Sequence, residues 1–397
     1  MNAQMKPAGN SLTEAELLSR LEALVPALRE RAQETERLRH IPQATFDDAK
    51  RSGYLSAFRT RHFGGPGLGL SALANGARIL AHGCASSAWT LVFLAQHTWM
   101  FAKANLQLQT ELLAGEFPGM QAGSLGKLGV ARPVEGGYRV TATSDWNSGI
   151  MQSTWVNCKA KIEGDEQVMM VVMPVADVKV QDVWHTAGLR GTGSNTIVVD
   201  NVFVPAHRLQ PAAEFMGEKA HPVHDAEPFA SYPFVPVVTT TISAIALGIA
   251  EAAVQEFKAI IEKRTLAFSG GQKQSDQPFA QMRLGEAVGE LRAIQTLCRG
   301  MLNDIVNTYE PRQRMTTAER VGVRLTGATI VRACRRLLDD CIMPNAGGSS
   351  YFESSPLQRM QRDLEVLKGH AMFDWDRLAQ LAGRVELGQA PAPTDLL

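Results

Sequence analysis

The chain is 397 residues long, more than one compact domain usually holds, and its 40 Lys and Arg balance 40 Asp and Glu to a formal net charge of zero. Hydrophobic residues make up 45% and charged residues 20%, which suits a globular chain with ample core, while the missing basic surplus argues against a nucleic-acid or anionic-membrane binder. No apolar run approaches the roughly 18 to 20 residues of a spanning helix. The N-terminus has no basic stretch followed by an apolar one, so no signal peptide is expected. Cys84, Cys158, Cys298, Cys334 and Cys341 are scattered without CxxC spacing. They read as reduced thiols of a cytoplasmic protein, with neither a disulfide framework nor a metal site.

Residues 1–118 read as an N-terminal helical domain. Ser11 and Glu14 have capping-box spacing, and Leu17, Leu18, Leu21, Leu24, Val25 and Leu28 form an apolar stripe through which Pro26 kinks the helix without ending it. A Gly-rich loop, HFGGPGLGL at 62–70, precedes one long small-residue helix ending near Phe101. Over 119–210 the period shifts to two: GYRVTAT, TWVNCKAKI, VMMVVMPV, VKVQDV and NTIVVDNVFV are short strands with no room for helices between them. They predict a small antiparallel β-barrel or sandwich. Residues 211–397 combine a Pro- and His-rich linker with a four-helix bundle at 237–264, 280–308, 314–343 and 363–385. The fold class is α+β.

Four constellations could carry chemistry. GLRGTGSNT at 188–196 opens a strand, so it is no dinucleotide fingerprint, yet Arg190, Thr192 and Ser194 can offer donors to a phosphate or a polar ring edge. A tight turn between strands explains that stretch equally well. SDWNSG at 144–149 sets Trp146 two residues before Ser148, a flat wall beside a hydroxyl; a core Trp and a turn Ser would look the same. NAGGSSYFESSPLQRMQRD at 345–363 puts Gly347 and Gly348 after a long helix, where close backbone approach is possible. On the last helix, Val366, His370, Phe373, Arg377 and Leu381 recur at helical spacing, and Asp374 one turn beyond His370 could fix its tautomer and favour its charged form. A satisfied core histidine remains the plainer account of His370, and likewise of His97 in FLAQHTWM; Ser124 in AGSLGKLG is equally ambiguous by itself.

The order of these segments resembles the acyl-CoA dehydrogenase fold over essentially the whole chain. That resemblance implies that Trp146, Ser148, Arg190, Thr192 and Ser194 lie against a flavin. It also implies that Arg264, Gln277, Gly347 and Gly348 reach the flavin of a neighbouring subunit in a homotetramer. Dehydrogenases of the common type carry a catalytic glutamate just after the Arg-Asp dipeptide, where this chain reads LEVLKGHAMFD with His370 and Ala371. Without that base, desaturation of a thioester lacks its first step. CASSAW at 84–89, GGYRV at 136–140, SGIMQSTW at 148–155 and LQRMQRD at 357–363 are similar instead to the oxygenase components of two-component flavin monooxygenases, such as para-hydroxyphenylacetate hydroxylase and dibenzothiophene monooxygenase.

The second resemblance implies reduced FMN or FAD (FMNH2 or FADH2) and O2 as reactants, forming a C4a-hydroperoxide that hydroxylates a small aromatic or heteroaromatic substrate of the phenol or indole type. Ser148 would face flavin N5, His370 would hold the peroxide, and His97 and Ser124, with Asp374 nearby, would meet the substrate. A separate NAD(P)H-dependent flavin reductase is the implied partner. Two alternatives stay open at this point: an acyl-CoA dehydrogenase-type desaturase with Glu365 as relocated base, and a non-catalytic flavin-binding scaffold.

Overall fold

The structure, a computed structural model, describes residues 12–392 and 394–397, Leu125 without its side chain. Ser11 lies outside the described residues. The first helix, α1 (Glu14–Glu30), is instead capped by Thr13, whose hydroxyl accepts from Glu16 N while the Glu16 carboxylate accepts from Thr13 N. Pro26 sits inside α1 without ending it. After α2 (Ala32–Leu38) and α3 (Gln43–Ser52), the pattern read as one long helix forms two, α4 (Leu70–Ala81) and α5 (Ala85–Met100). They part at Gly83, where a Cβ would meet Leu28 Cβ at 2.5 Å and Val25 O at 2.9 Å, so α1 packs directly on the break. Every residue of α5 except Phe93 is buried, and α6 (Leu106–Leu113) closes the helical part.

The strands β1 (Gln121–Val134), β2 (Gly137–Asn147), β3 (Trp155–Ile162), β4 (Val168–Pro174), β5 (Lys179–Gln181), β6 (Asn195–Pro205) and β7 (Leu209–Pro211) form one sheet, ordered β5-β6-β2-β1-β3-β4-β7. It is mixed where a wholly antiparallel module was expected: β1 and β3 run parallel, and the other five pairings are antiparallel. The cause is the route of the chain. The hairpin through β2 carries it back to the start of β1, and residues 148–154 then cross to the opposite edge of β1 before β3 begins. Ser148 belongs to that crossover. Beside it, β1 bulges between Gly123 and Leu128, which takes Ser124 out of the β3 ladder. Strand β7 ends the predicted β region, α7 (Ala212–Met216) opens the stretch read as a linker, and mostly short turns follow to Pro233.

Of the four expected C-terminal helices, three form as α8 (Phe234–Lys263), α9 (Pro278–Tyr309) and α10 (Thr317–Arg336). A π-helical turn at Leu337–Ile342 and α11 (Met343–Ala346) prolong the last of these. The fourth is two helices, α12 (Pro356–Lys368) and α13 (Trp375–Glu386). His370 therefore lies in the break between them, with extended backbone (φ −65°, ψ 135°), and Asp374 caps α13 by accepting from Arg377 N. Although no run of spanning character was expected, α8 has an 18-residue window of mean hydropathy 1.8; all of it is buried inside the protein.

Helix α4 presses on α8 at Gly248, where a Cβ would stand 2.2 Å from Arg78 O. One turn on, Glu251 accepts from Arg78 Nη1 at 2.9 Å, His82 Nε2 at 2.6 Å and Gln295 Nε2 at 2.7 Å, tying α4, α8 and α9 together. Gly248→Ala has a backbone atom in its way, so it should force α4 and α8 apart and cost about 1 to 3 kcal/mol. Urea unfolding should show a lowered midpoint with an unchanged slope; a midpoint equal to the parent's would mean that the pair can slide without cost.

Candidate functional site

Helix α5 carries Trp89, Phe93 and His97 at successive four-residue steps, which stacks them along one face. Trp89 and Phe93 lie 4.9 Å apart and nearly parallel, and Phe93 meets His97 edge-on at 6.2 Å. The Trp89 indole N–H donates to Ser148 Oγ at 3.0 Å, and its ring meets the His370 imidazole at 5.6 Å. The ladder thus gathers Ser148, His370 and His97, which the sequence places on three distant segments. Ser124 lies in the β1 bulge, three residues past the Gln121 that bonds His97, its hydroxyl accepting from Gly126 N at 3.1 Å.

The hydrogen bonds around Ser148 have a direction. Thr192 Oγ1 donates to the Leu189 carbonyl at 2.9 Å, so towards Ser194 Oγ, 2.7 Å away, it can only accept. Ser194 has then spent its proton and must accept from Ser148 Oγ at 2.8 Å. Ser148, donating to Ser194 and accepting from Trp89, keeps one lone pair free. The chain ends at Leu189, whose N–H donates to Asp363 Oδ1 at 2.6 Å. Trp146, in left-handed backbone at φ 62° and 63% exposed, stands beside this network as an open wall.

The two imidazoles are held as opposite tautomers. His97 Nδ1 lies 2.6 Å from the Gln121 carbonyl, which can only accept, so Nδ1 carries the proton and Nε2 is bare. His370 Nδ1 accepts from Met372 N at 3.2 Å, so the proton sits on Nε2. Burial pushes both pKa values down to about 4. The expected Asp374 partnership is therefore wrong on two counts: Asp374 is exposed and occupied as a helix cap, and His370 is held neutral. Glu365, the other base considered, is held by Arg335 and by Lys368 at 2.6 Å; although burial works against it, these partners keep its carboxyl below the usual range.

The remaining expected residues fall in two groups. Arg190, Thr192 and Ser194 belong to the turn beside Ser148. Arg264 donates to the Ala346 carbonyl and to Ser349 Oγ, and a Cβ on Gly347 (φ 80°) would collide with its guanidinium, so Arg264 lies flat on the Gly347–Gly348 turn. Gln277 is the half-buried N-cap residue of α9. Among the described residues no hydrogen bond joins this second group to Ser148. Around the first group, Ser87 Oγ, Ser144 Oγ, Asn147 Oδ1 and Arg190 Nε are buried without partners. Two cavities, of about 290 and 140 Å3, touch none of the residues around Ser148. Trp89 and Asp363 were not picked out from sequence, although both lie in quoted segments, CASSAW and LQRMQRD.

Long core helices flanking one sheet, with a hydroxyl, an indole and two imidazoles between them, define the acyl-CoA dehydrogenase-like class. Residues 240–375 match the family model described as acyl-CoA dehydrogenase, C-terminal domain. The chain is 33% identical over 384 residues to a pigment production hydroxylase of Rhodococcus sp., covering 95% of this chain and 97% of that protein. It is 30% identical over 381 residues to the flavin-dependent monooxygenase oxygenase subunit HsaA of Rhodococcus jostii, covering 94% and 98%. XiaF from Streptomyces sp., solved with FADH2 and glycerol, superposes with a TM-score of 0.90 at 24% identity, covering 96% of this chain and 98% of that one. The chain belongs to the oxygenase components of two-component flavin monooxygenases built on the acyl-CoA dehydrogenase fold. The orphaned polar atoms fit a flavin, which brings both donors and acceptors along its edge.

Nitrogen-detected NMR on histidine-labelled protein should find His97 as the Nδ1–H and His370 as the Nε2–H tautomer, neither protonating until pH nears about 4. A histidine whose folded pKa is depressed stabilises the fold fully above its unfolded value, about 6.5. Stability should therefore fall as pH drops from about 6.5 towards 4. Titration of either ring near 6.5 would contradict the geometry.

Proposed function

We propose that this oxygenase hydroxylates a small aromatic ring of the phenol or indole type, bound between Phe93, His97 and Ser124. The observation that carries the proposal is the pair of opposed tautomers: one buried imidazole offers a bare nitrogen, the other a fixed N–H. Relatives named for p-hydroxyphenylacetate, resorcinol and indole-3-acetate support an aromatic substrate.

Reduced FMN or FAD, when bound, supplies the electrons with which O2 is activated, one oxygen atom going to the substrate and the other to water. Trp146, Ser148, Arg190, Thr192 and Ser194 would hold it, completed by Arg264, Gln277, Gly347 and Gly348 of a neighbouring copy in a homotetramer. His97 Nε2 accepts a hydrogen bond from a ring hydroxyl or N–H and draws that proton away as the ring reacts, with Ser124 Oγ as a second contact, and so raises the electron density of the ring. His370 Nε2–H supplies a fixed donor beside the Trp89 ring. Ser148 uses its free lone pair to accept a hydrogen bond from the cofactor edge. Trp89 and Phe93 wall the space and exclude water. A separate NAD(P)H-dependent reductase supplies the reduced flavin, and the five buried, unpaired thiols suit a reducing cytoplasm.

The purified chain should oxidise neither NADH nor NADPH, and an unrelated flavin reductase with FMN or FAD should restore hydroxylation, read as a mass gain of one oxygen. Robust NADH oxidation by the isolated chain would contradict the two-component reading.

His97→Ala should lower kcat/KM on a phenol at pH 7 by about 100- to 10,000-fold. The deficit should shrink as pH approaches the phenol pKa of about 10, where the substrate ionises unaided. A deficit constant with pH would mean that His97 binds but takes no proton.

A further inference from the structure

We infer that Asp363 is a positioning residue: its carboxylate clamps the Leu189 peptide and thereby, through Thr192 and Ser194, sets the direction in which the Ser148 hydroxyl is held. This rests on the reading of Ser148 as facing the flavin, and extends it to a residue that touches neither cofactor nor substrate.

Three observations converge. Asp363, on α12 and 4% exposed, accepts from Leu189 N at 2.6 Å, the short distance of a charge-assisted bond. Leu189 needs holding, because it lies in left-handed backbone (φ 48°, ψ 32°) without being glycine. Its carbonyl meanwhile receives both Thr192 Oγ1 at 2.9 Å and Trp184 Nε1 at 3.0 Å, so any change in the Leu189 backbone angles moves the anchor of the hydroxyl chain. Helix α12 also grips the two preceding residues. Arg362 donates to the Ala187 carbonyl, and a Cβ on Gly188 would stand 2.0 Å from Arg362 O.

The groups facing Asp363 are Arg359 and Arg362 on its own helix, Glu36 on α2, and the buried Cys84 thiol just before α5. Burial pushes the Asp363 carboxyl up to about 6. The folded chain then binds this proton more tightly than the unfolded chain, so ionisation lowers stability as pH rises from about 4 to 6. A neutral residue that still accepts from Leu189 N should not destabilise the protein at pH 7. The charged carboxylate, present above about 6, makes the stronger bond to Leu189 N, so clamping and stability respond to pH in opposite directions.

The test uses the full chain without flavin, comparing the parent with Asp363→Asn, which keeps an acceptor but cannot ionise, and Asp363→Ala. Amide hydrogen exchange over residues 187–195 is followed by mass spectrometry from pH 5 to 8 and corrected for intrinsic rates. Protection in the parent should rise about tenfold through pH 6. Asp363→Asn should lack that rise while its thermal midpoint at pH 7 is equal to the parent's or higher, and Asp363→Ala should be unprotected throughout. With reductase and substrate, Asp363→Asn should also divert more turnover to H2O2, towards the ratio shown by Ser148→Ala. A parent-like rise in Asp363→Asn, or loss of protection spread evenly over all peptides, would overturn the clamp. Parent-like coupling in Ser148→Ala would instead overturn the reading of Ser148 as facing the flavin, and the flavin-free exchange result separates the two failures.

Discussion

The bond from the Trp89 indole to Ser148 Oγ joins the helical core to the sheet, and much of the site depends on it. Trp89 lies on the most deeply buried N-terminal helix, whereas Ser148 lies on a crossover that exists only because β1 and β3 run parallel. A buried indole N–H without a partner would cost on the order of 1 to 3 kcal/mol. The helix therefore has a stake in where the crossover goes. The Ser148 hydroxyl in turn donates to Ser194, Ser194 to Thr192 and Thr192 to the Leu189 carbonyl, so the polarity around Ser148 is settled by a one-way chain of hydroxyls.

Neutrality is the second theme. The chain has no net charge, and its candidate catalytic imidazoles are kept uncharged by burial. In such a setting a histidine is defined by which nitrogen holds the proton, and that is decided by backbone: a carbonyl of β1 for His97, an amide after α12 for His370. Both choices are made by main-chain groups, so each imidazole rests in one tautomer across the working pH range.

Much of this was legible in the sequence, for identifiable reasons. W-x-S-G and GLRGTGS sit at strand ends, where Gly and Ser interrupt a period of two, so their loop position could be read directly. The order of helical, β and helical segments was equally visible. Trp89 was not, because an aromatic stripe on a helix buried all round looks like ordinary core. Asp363 was hidden because its partner is a main-chain N–H some 174 residues away. The parallel pairing was missed because strand patterning reports which residues alternate, and not which edge a strand joins.

The most instructive failure is the last helix. Helical spacing continues without a flaw from Val366 to Leu381, and it led to an imidazole steered by Asp374 and held charged. The chain breaks there instead, with Gly369 ending α12 and Asp374 beginning α13. In an unbroken helix the Met372 N–H would be committed to the carbonyl four residues back, leaving His370 Nδ1 to seek Asp374. The break frees that N–H to donate to Nδ1, which puts the imidazole proton on Nε2 and leaves Asp374 to cap the next helix. One interruption of the backbone thus changes the residue from a cation beside a carboxylate into a neutral donor. The neutral donor is the form a buried site can hold without burying a charge.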